Sequence, residues 1–369
     1  MHTLYLGVLL LNLALAAFAD PVDVSSKWIA LTQQPFENLP SQDIGLRPLL
    51  LTSSGQPIKT APEWEKQRQS LREAWLERLG AFPPKPAMLE VLLESAEVEG
   101  DHTRQLVSFL SEGDDRIRAY LLTPQGLKQG DKRPAIVVFH PTTKETLREP
   151  AGLGQRQEMA LALHLVRRGY VTLSPECYIM KAGGPKSQAE QLAARRPGWT
   201  GLGKMTFDAS RCVDYLETLP FVEASRIGCI GHSLGAKEVL FAMAFEPRFK
   251  AGVFNEGGIG LRMSNWTDPW YLTSAMKSHI PDMENHQMIA QIAPRPFLVM
   301  GGGDADGAAS WPFVKEARAV YELLRARDRI GLYNHKGGHA FPEAARNLAY
   351  EWLDYWLDFK PPAIERKGR

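Results

Sequence analysis

The stretch Arg226-Ile227-Gly228-Cys229-Ile230-Gly231-His232-Ser233-Leu234-Gly235 runs straight into Ala236–Phe245, a segment without Gly or Pro. Arg226 to Ile230 has the length and apolar character of a buried strand, and Leu234 to Phe245 that of a helix. Between them lies Gly-x-Ser-x-Gly. A strand that turns directly into a helix strains the backbone at the turn. Small residues two positions either side let neighbouring main chain approach. The pattern makes Ser233 the candidate nucleophile at a strand end, against the plainer role of a helix-capping serine. The side chain of His232 diverges from that of Ser233 and is read as structural or pocket-lining.

Outward from this turn the chain alternates. Pro134–Phe139, Tyr170–Leu173, Ala251–Phe254, Phe297–Met300 and Ile330–Tyr333 read as strands. Gln155–Arg168, Met205–Leu219, Pro312–Arg325 and Phe341–Phe359 read as helices between or after them. Before them, segments near Leu89–Val98, Gln105–Leu110 and Ile117–Leu122 form a meander with turns at Gly100-Asp101 and Gly113-Asp114. Antiparallel strands followed by β-α alternation predict an α/β fold, a mostly parallel sheet with helices on both faces. Reacting groups in such sheets sit beyond the carboxyl ends of the strands. Residues 20–86 are read as an N-terminal extension with one helix from Pro62 to Leu79, closed by Gly80. The main domain is placed at 87–360.

Residues 1–19 are read as a secretory signal peptide. Leu4 to Ala17 is apolar except for Asn12, and Ala17-Phe18-Ala19 supplies an Ala-x-Ala cleavage site before Asp20. The run is short of the roughly 20 residues a membrane span needs. A secreted or periplasmic protein without stable membrane insertion is expected. The 369 residues carry 43 Lys+Arg against 42 Asp+Glu, a formal charge of +1, so no overall field draws the chain to nucleic acid. Cys177, Cys212 and Cys229 show no CxxC or Cys/His spacing, and buried thiols are the expected state. No metal-ligand spacing appears, and neither metal nor cofactor is expected. Gly198 to Lys204 nearly spells a phosphate-binding loop, but Met205 stands where Ser or Thr would hold magnesium.

A serine hydroxyl needs a base. In sheets with such a turn the order is Ser, acid, His. His339, between the last strand and the last helix, is preferred over His335. The acid is expected after Phe297–Met300, where Asp304 and Asp306 stand in Gly301-Gly302-Gly303-Asp304-Ala305-Asp306-Gly307. Asp306 is chosen, because it follows a longer loop and precedes Gly307; Glu256, after the neighbouring strand, is a third candidate. Two backbone donors are needed for the oxyanion. Leu234 at the start of the helix supplies one. Thr142 supplies the other, since Pro141 in His140-Pro141-Thr142-Thr143 has no N–H.

At these residues the chain resembles the α/β-hydrolase superfamily and, within it, the secreted bacterial dienelactone-hydrolase-like and acetyl-xylan-esterase-like proteins. The likeness runs over about Pro62 to Trp356. It is carried by His140 to Lys144 with Glu149 to Gly152, by Arg226 to Gly235, and by Glu256 to Gly260 with Asn265-Trp266. Ala305-Asp306-Gly307, Ser310-Trp311 and Gly338-His339 complete it. Dienelactone hydrolases proper use a cysteine where this chain has Ser233. Lys237, four residues after the nucleophile, is similar to glucuronoyl esterases, whereas Leu234 replaces their arginine. The resemblance implies a serine esterase working through an acyl-enzyme on a small-molecule or polysaccharide ester, with carbohydrate acetyl or glucuronoyl esters preferred. A serine peptidase and a noncatalytic binding protein on the same scaffold are the competing readings.

Trp199, Trp266, Trp270, Tyr271 and Trp311 lie in segments over the strand ends. Trp266 is taken as a substrate contact, with Lys237 and Glu256. Lys181, Lys186, Arg195, Arg196 and Lys204 stand against Glu190 alone between Cys177 and Met205, a solvated basic loop or a seat for an acidic substrate group.

Overall fold

The computed structural model describes residues 24–34, 39, 44–280 and 282–362. The leader at 1–19 lies outside the described residues. In chain order the helices and strands are α1 (Val24–Thr32), α2 (Ala61–Leu79), β1 (Leu92–Val98), β2 (His102–Leu110), β3 (Arg116–Pro124) and β4 (Arg133–Phe139). Next come α3 (Leu161–Arg167), β5 (Val171–Pro175), α4 (Gly184–Arg195), α5 (Gly201–Glu217), β6 (Val222–His232), α6 (Leu234–Phe245) and β7 (Phe249–Asn255). The chain finishes with α7 (His286–Ile292), β8 (Phe297–Gly301), α8 (Trp311–Leu323), β9 (Ile330–Asn334) and α9 (Glu343–Trp356).

The strands form one sheet in the order β1-β2-β3-β5-β4-β6-β7-β8-β9. β1, β2, β3 and β5 pair antiparallel, and β5, β4, β6, β7, β8 and β9 pair parallel. Side chains of the central strands alternate between two cores, as the pleat requires. Ala135, Val137 and Phe139 of β4 face a core shared with α2, α5, α6, α7 and α8. Ile136 and Val138 face one shared with α1, α3 and α9. Both faces are covered, which is why these strands read as continuous apolar runs.

The predicted strands are present; β1 starts three residues later than expected, and most of the others are extended at one or both ends. The helix expected over 155–168 is shorter: a 3₁₀ turn at Gln157–Met159 precedes α3. Among the described residues three α-helices went unpredicted: α1, α4 and α7. The first two are mostly polar or mixed, and α7 is buried on every side, so none presents an amphipathic stripe.

The preceding segment braces the domain. α2 starts with a capping box, in which the Thr60 hydroxyl accepts from Glu63 N–H and the Glu63 carboxylate accepts from Thr60 N–H at 2.9 Å. Trp64, Trp75 and Leu79 are buried, and Trp75 meets Phe241 of α6 edge-on at 5.7 Å between centroids. The Arg72 guanidinium donates to the carbonyls of Ala244 and Phe245 at 3.2 and 3.1 Å. Those carbonyls are the unsatisfied C-terminal end of α6, where a cation also complements the helix dipole. The helix that begins beside Ser233 is thus held at its far end by the N-terminal extension.

Candidate active site

Ser233 joins β6 to α6 with φ 57° and ψ −115°, a left-handed conformation that a non-glycine residue adopts only under constraint. Its N–H donates to Asn255 O of β7 at 2.9 Å. The two glycines of the motif show why they are needed. A Cβ at Gly231 would overlap Gly235, and one at Gly235 would overlap the carbonyl of Phe139 at the end of β4. The turn packs so closely on its own start and on the neighbouring strand that no side chain fits.

His339 closes on this serine. The Ser233 hydroxyl donates to His339 Nε2 at 3.0 Å, and His339 Nδ1 lies 3.2 Å from a carboxylate oxygen of Glu256. Asp304 places an oxygen at the same 3.2 Å from Nδ1. Two carboxylates at Nδ1 assign the proton to that nitrogen and leave Nε2 as the acceptor. The hydrogen bond that Nδ1–H donates to Glu256, with the charges of Glu256 and Asp304, raises the imidazole pKa above its ordinary value despite partial burial. Burial alone would raise the pKa of Glu256. Hydrogen bonds from His339, Gly302 N–H and Ala305 N–H outweigh it and hold the carboxylate ionised. Glu256 sits at φ 54° directly after β7, a second strained residue beside the first.

Asp306, the expected acid, does not reach His339. Its carboxylate accepts from Gly258 N–H at 2.7 Å, Ile259 N–H at 2.8 Å and the Ser310 hydroxyl at 2.8 Å, and it is buried. Loop length was the wrong criterion: the loop after β8 turns back, with Gly303 N–H donating to Asp306 O at 2.8 Å, and points Asp306 inward. Burial, opposed by those hydrogen bonds, pushes its pKa up to about 6. His335 is likewise occupied elsewhere. Its Nε2–H donates to Asn255 Oδ1 at 3.2 Å and its Nδ1 accepts from Gly337 N–H.

Asn255 is a functional position the sequence reading missed. Its amide donates to His232 Nδ1 at 2.8 Å and to Ala340 O at 3.1 Å, tying the residue before Ser233 to the residue after His339. The signal was an asparagine ending a buried apolar strand, where an unpaired amide would be costly. Desolvation, with the nearby His339 charge, pushes the pKa of His232 down to about 3, so its ring is neutral and structural.

Thr142 lies in the exposed loop after β4, and Leu234 is the first residue of α6. Among the described residues neither N–H has a backbone acceptor. The loop that carries Thr142 is fixed by His140, whose Nδ1–H donates to Pro141 O at 2.7 Å while Nε2 accepts from Cys177 N–H at 3.0 Å. Burial pushes the His140 pKa down to about 4, which keeps that tautomer neutral.

Trp266 is fully buried, not open to a ligand. Its indole N–H donates to Gly258 O at 2.6 Å, and its ring packs on Phe241 and Tyr271. Trp199, Tyr271 and Trp311 are buried as well, so these aromatics are packing residues. Lys237 lies over the Trp266 and Tyr271 rings at 5.2 and 4.6 Å, and its ammonium donates to Ser264 Oγ at 2.8 Å and Asn265 Oδ1 at 2.5 Å. Desolvation pulls its pKa down to about 8.

Three of the five cations of the basic segment are paired, while Lys186 is exposed. Lys204 is wholly buried among Glu112, Asp115 and Asp208, at 2.7, 2.8 and 2.6 Å. Lys181 pairs with Asp115 and Arg195 with Glu112. Three cations meet three carboxylates supplied partly by the β2–β3 turn, which is remote in sequence. Cys177, Cys212 and Cys229 are buried free thiols. Among the described residues, Glu256, Asp304 and His339 are the group whose ligand atoms converge as a metal site would, within 4.8 Å of one another. The ring nitrogens and the Glu256 oxygens are already engaged by Ser233 and the backbone amides. Among the described residues no helix is long and apolar enough to cross a membrane.

A model of the dienelactone hydrolase family matches residues 117–351. The 4-O-methyl-glucuronoyl methylesterase 1 of Wolfiporia cocos is 22% identical over 345 residues, covering 83% of this chain and 79% of that protein. The glucuronoyl esterase from Solibacter usitatus superposes with a TM-score of 0.70 at 22% identity, over 86% of this chain and 98% of that one. A glucuronoyl esterase from Teredinibacter turnerae gives 0.64 at 20% identity, over 90% and 98%. The fold these structures share is the α/β-hydrolase fold. The family match runs from within β3 to within α9 and takes in Ser233, Glu256, Asp304 and His339. The chain therefore belongs to the dienelactone hydrolase family and is, by that membership, a carboxylic ester hydrolase of the α/β-hydrolase class.

Proposed function

We propose that this chain is an exported serine esterase that cleaves carbohydrate esters, acetyl or glucuronoyl, with Ser233, His339 and Glu256 as its triad. The observation that carries the reading is the continuous line from Ser233 Oγ through both ring nitrogens of His339 to Glu256, at 3.0 and 3.2 Å. His339 Nε2 takes the hydroxyl proton as Ser233 Oγ bonds to the acyl carbon, and Glu256 stabilises the imidazolium. The amides of Thr142 and Leu234 hold the oxyanion. His339 returns the proton to the departing alcohol, leaving an acyl-enzyme. Water then adds with its proton passing to His339, and the acid departs as Ser233 regains its hydrogen.

The carbohydrate preference is supported by the names of the relatives and by Lys237. The ammonium lies one helical turn beyond Ser233, held by the Ser264 hydroxyl and the Asn265 amide oxygen. Export is supported by the apolar leader and its Ala17-Phe18-Ala19 site. Purified protein should hydrolyse an activated acetyl ester and bond covalently to a fluorophosphonate, and Ser233→Ala should abolish both. A panel of acetylated xylan and glucuronate methyl esters then identifies the acyl group. An inert wild type, or activity surviving Ser233→Ala, would sink the reading. N-terminal sequencing of exported protein should begin at Asp20.

A further inference from the structure

We infer that Asp306 is a positioning residue that holds Glu256 in register with His339 through an exchange of carboxylates between two loops. The loop after β7 carries Glu256, whose oxygens accept from Gly302 N–H and from Ala305 N–H at 2.7 Å, both in the loop after β8. The loop after β8 carries Asp306, whose oxygens accept from Gly258 N–H and Ile259 N–H at 2.7 and 2.8 Å, both in the loop after β7. Each loop thus satisfies two buried amides of the other. Ser310 Oγ–H completes the Asp306 shell at 2.8 Å.

The arrangement matters because Glu256, a non-glycine residue, sits at φ 54°. Such backbone persists only where its surroundings over-determine it. Asp306 bonds the second and third residues after Glu256 and fixes the direction in which that strained residue projects. Among the described residues Asp306 makes no ion pair, and its hydrogen bonds are to these three donors. A displacement of about 1 Å in a catalytic geometry can cost on the order of 100-fold in rate.

The proposal rests on the triad reading above, and its test separates the two. Asp306→Asn keeps the volume and places an N–H against one of the two amides. The expected result is a kcat on an activated acetyl ester lowered about 10- to 100-fold, with KM within about twofold. In the Glu256→Gln background the same change should cost under about twofold, since a residue acting through Glu256 has nothing left to orient. A readout independent of turnover is the His339 imidazole titration by NMR, which should move down in Asp306→Asn by much more than it does in the Glu256→Gln background, where only the lost charge of Asp306 acts. Thermal melts establish that each variant is folded. Should Asp306→Asn leave both kcat and the His339 titration at wild-type values, or slow the Glu256→Gln enzyme as much as the wild type, the positioning role is overturned. An inert wild type whose His339 titration still responds to Asp306→Asn would count against the esterase reading and not against this one.

Discussion

Glu256 and Asp304 hold carboxylate oxygens at the same 3.2 Å from Nδ1 of His339, yet the side chain of the first is wholly buried and that of the second is 64% exposed. Equal distance does not mean equal effect. Water screens the exposed charge, and the buried one acts at lower dielectric with two backbone amides fixing it.

Glu256→Gln should therefore lower kcat about 10- to 100-fold, and Asp304→Asn only a few-fold. With both changed, nothing orients the ring, and the loss should reach roughly 10⁴-fold. Steady-state kinetics on one aryl acetate decides it. Equal losses from the two single variants would show that burial does not set their ranking.

The pH profile has a definite sign. His339 must be neutral to accept the serine proton, and its pKa lies above the ordinary 6.5 of histidine because Glu256 bonds its charged form. The rate kcat/KM should fall as pH drops through a value above 6.5. In Glu256→Gln the same limb should shift to lower pH.

Gly235→Ala tests the packing of the turn. In an ordinary helix this change stabilises by about 0.5–1 kcal/mol. Here the added Cβ meets the Phe139 carbonyl, so we expect a loss of about 1–3 kcal/mol in urea unfolding and a marked fall in kcat, since the loop that carries Thr142 follows Phe139. A stabilised variant would refute the close approach.

Lys204→Met leaves Glu112, Asp115 and Asp208 facing one another with one buried cation fewer. Removing one partner of a buried ionic cluster costs about 3–5 kcal/mol. Chemical denaturation should show a loss of that size. Adding Asp208→Asn should recover part of it, because that carboxylate pairs directly with Lys204 at 2.6 Å.

What was legible in the sequence was whatever depends on local chemistry. The Gly231 to Gly235 turn, the strand before it and the helix after it could be read because strain and period are local properties. The pairing of His339 with Ser233 followed from chain order. Which carboxylate reaches His339 did not, because choosing among Glu256, Asp304 and Asp306 requires knowing which way each loop turns back. Asp306 was chosen by loop length, and its real partners, Gly258 and Ile259, are amides that no side-chain pattern reveals. Trp266 and Lys204 misled for a related reason. Exposure was inferred from position after a strand, whereas Lys204 is neutralised by Glu112 and Asp115 from a turn nearly a hundred residues earlier.

The grip of Arg72 on the last carbonyls of α6 bears on how this protein can be cut. By composition, a boundary near residue 86 looked like the place where an appendage ends. Yet that guanidinium, with Trp75 against Phe241, ties the segment to the very helix whose other end presents Ser233. A fragment beginning at β1 would uncover an aromatic groove along α6 and leave its terminal peptide carbonyls facing that gap. For expression or engineering, the shortest useful chain starts before α2, and the extension is better regarded as the back wall of the catalytic helix.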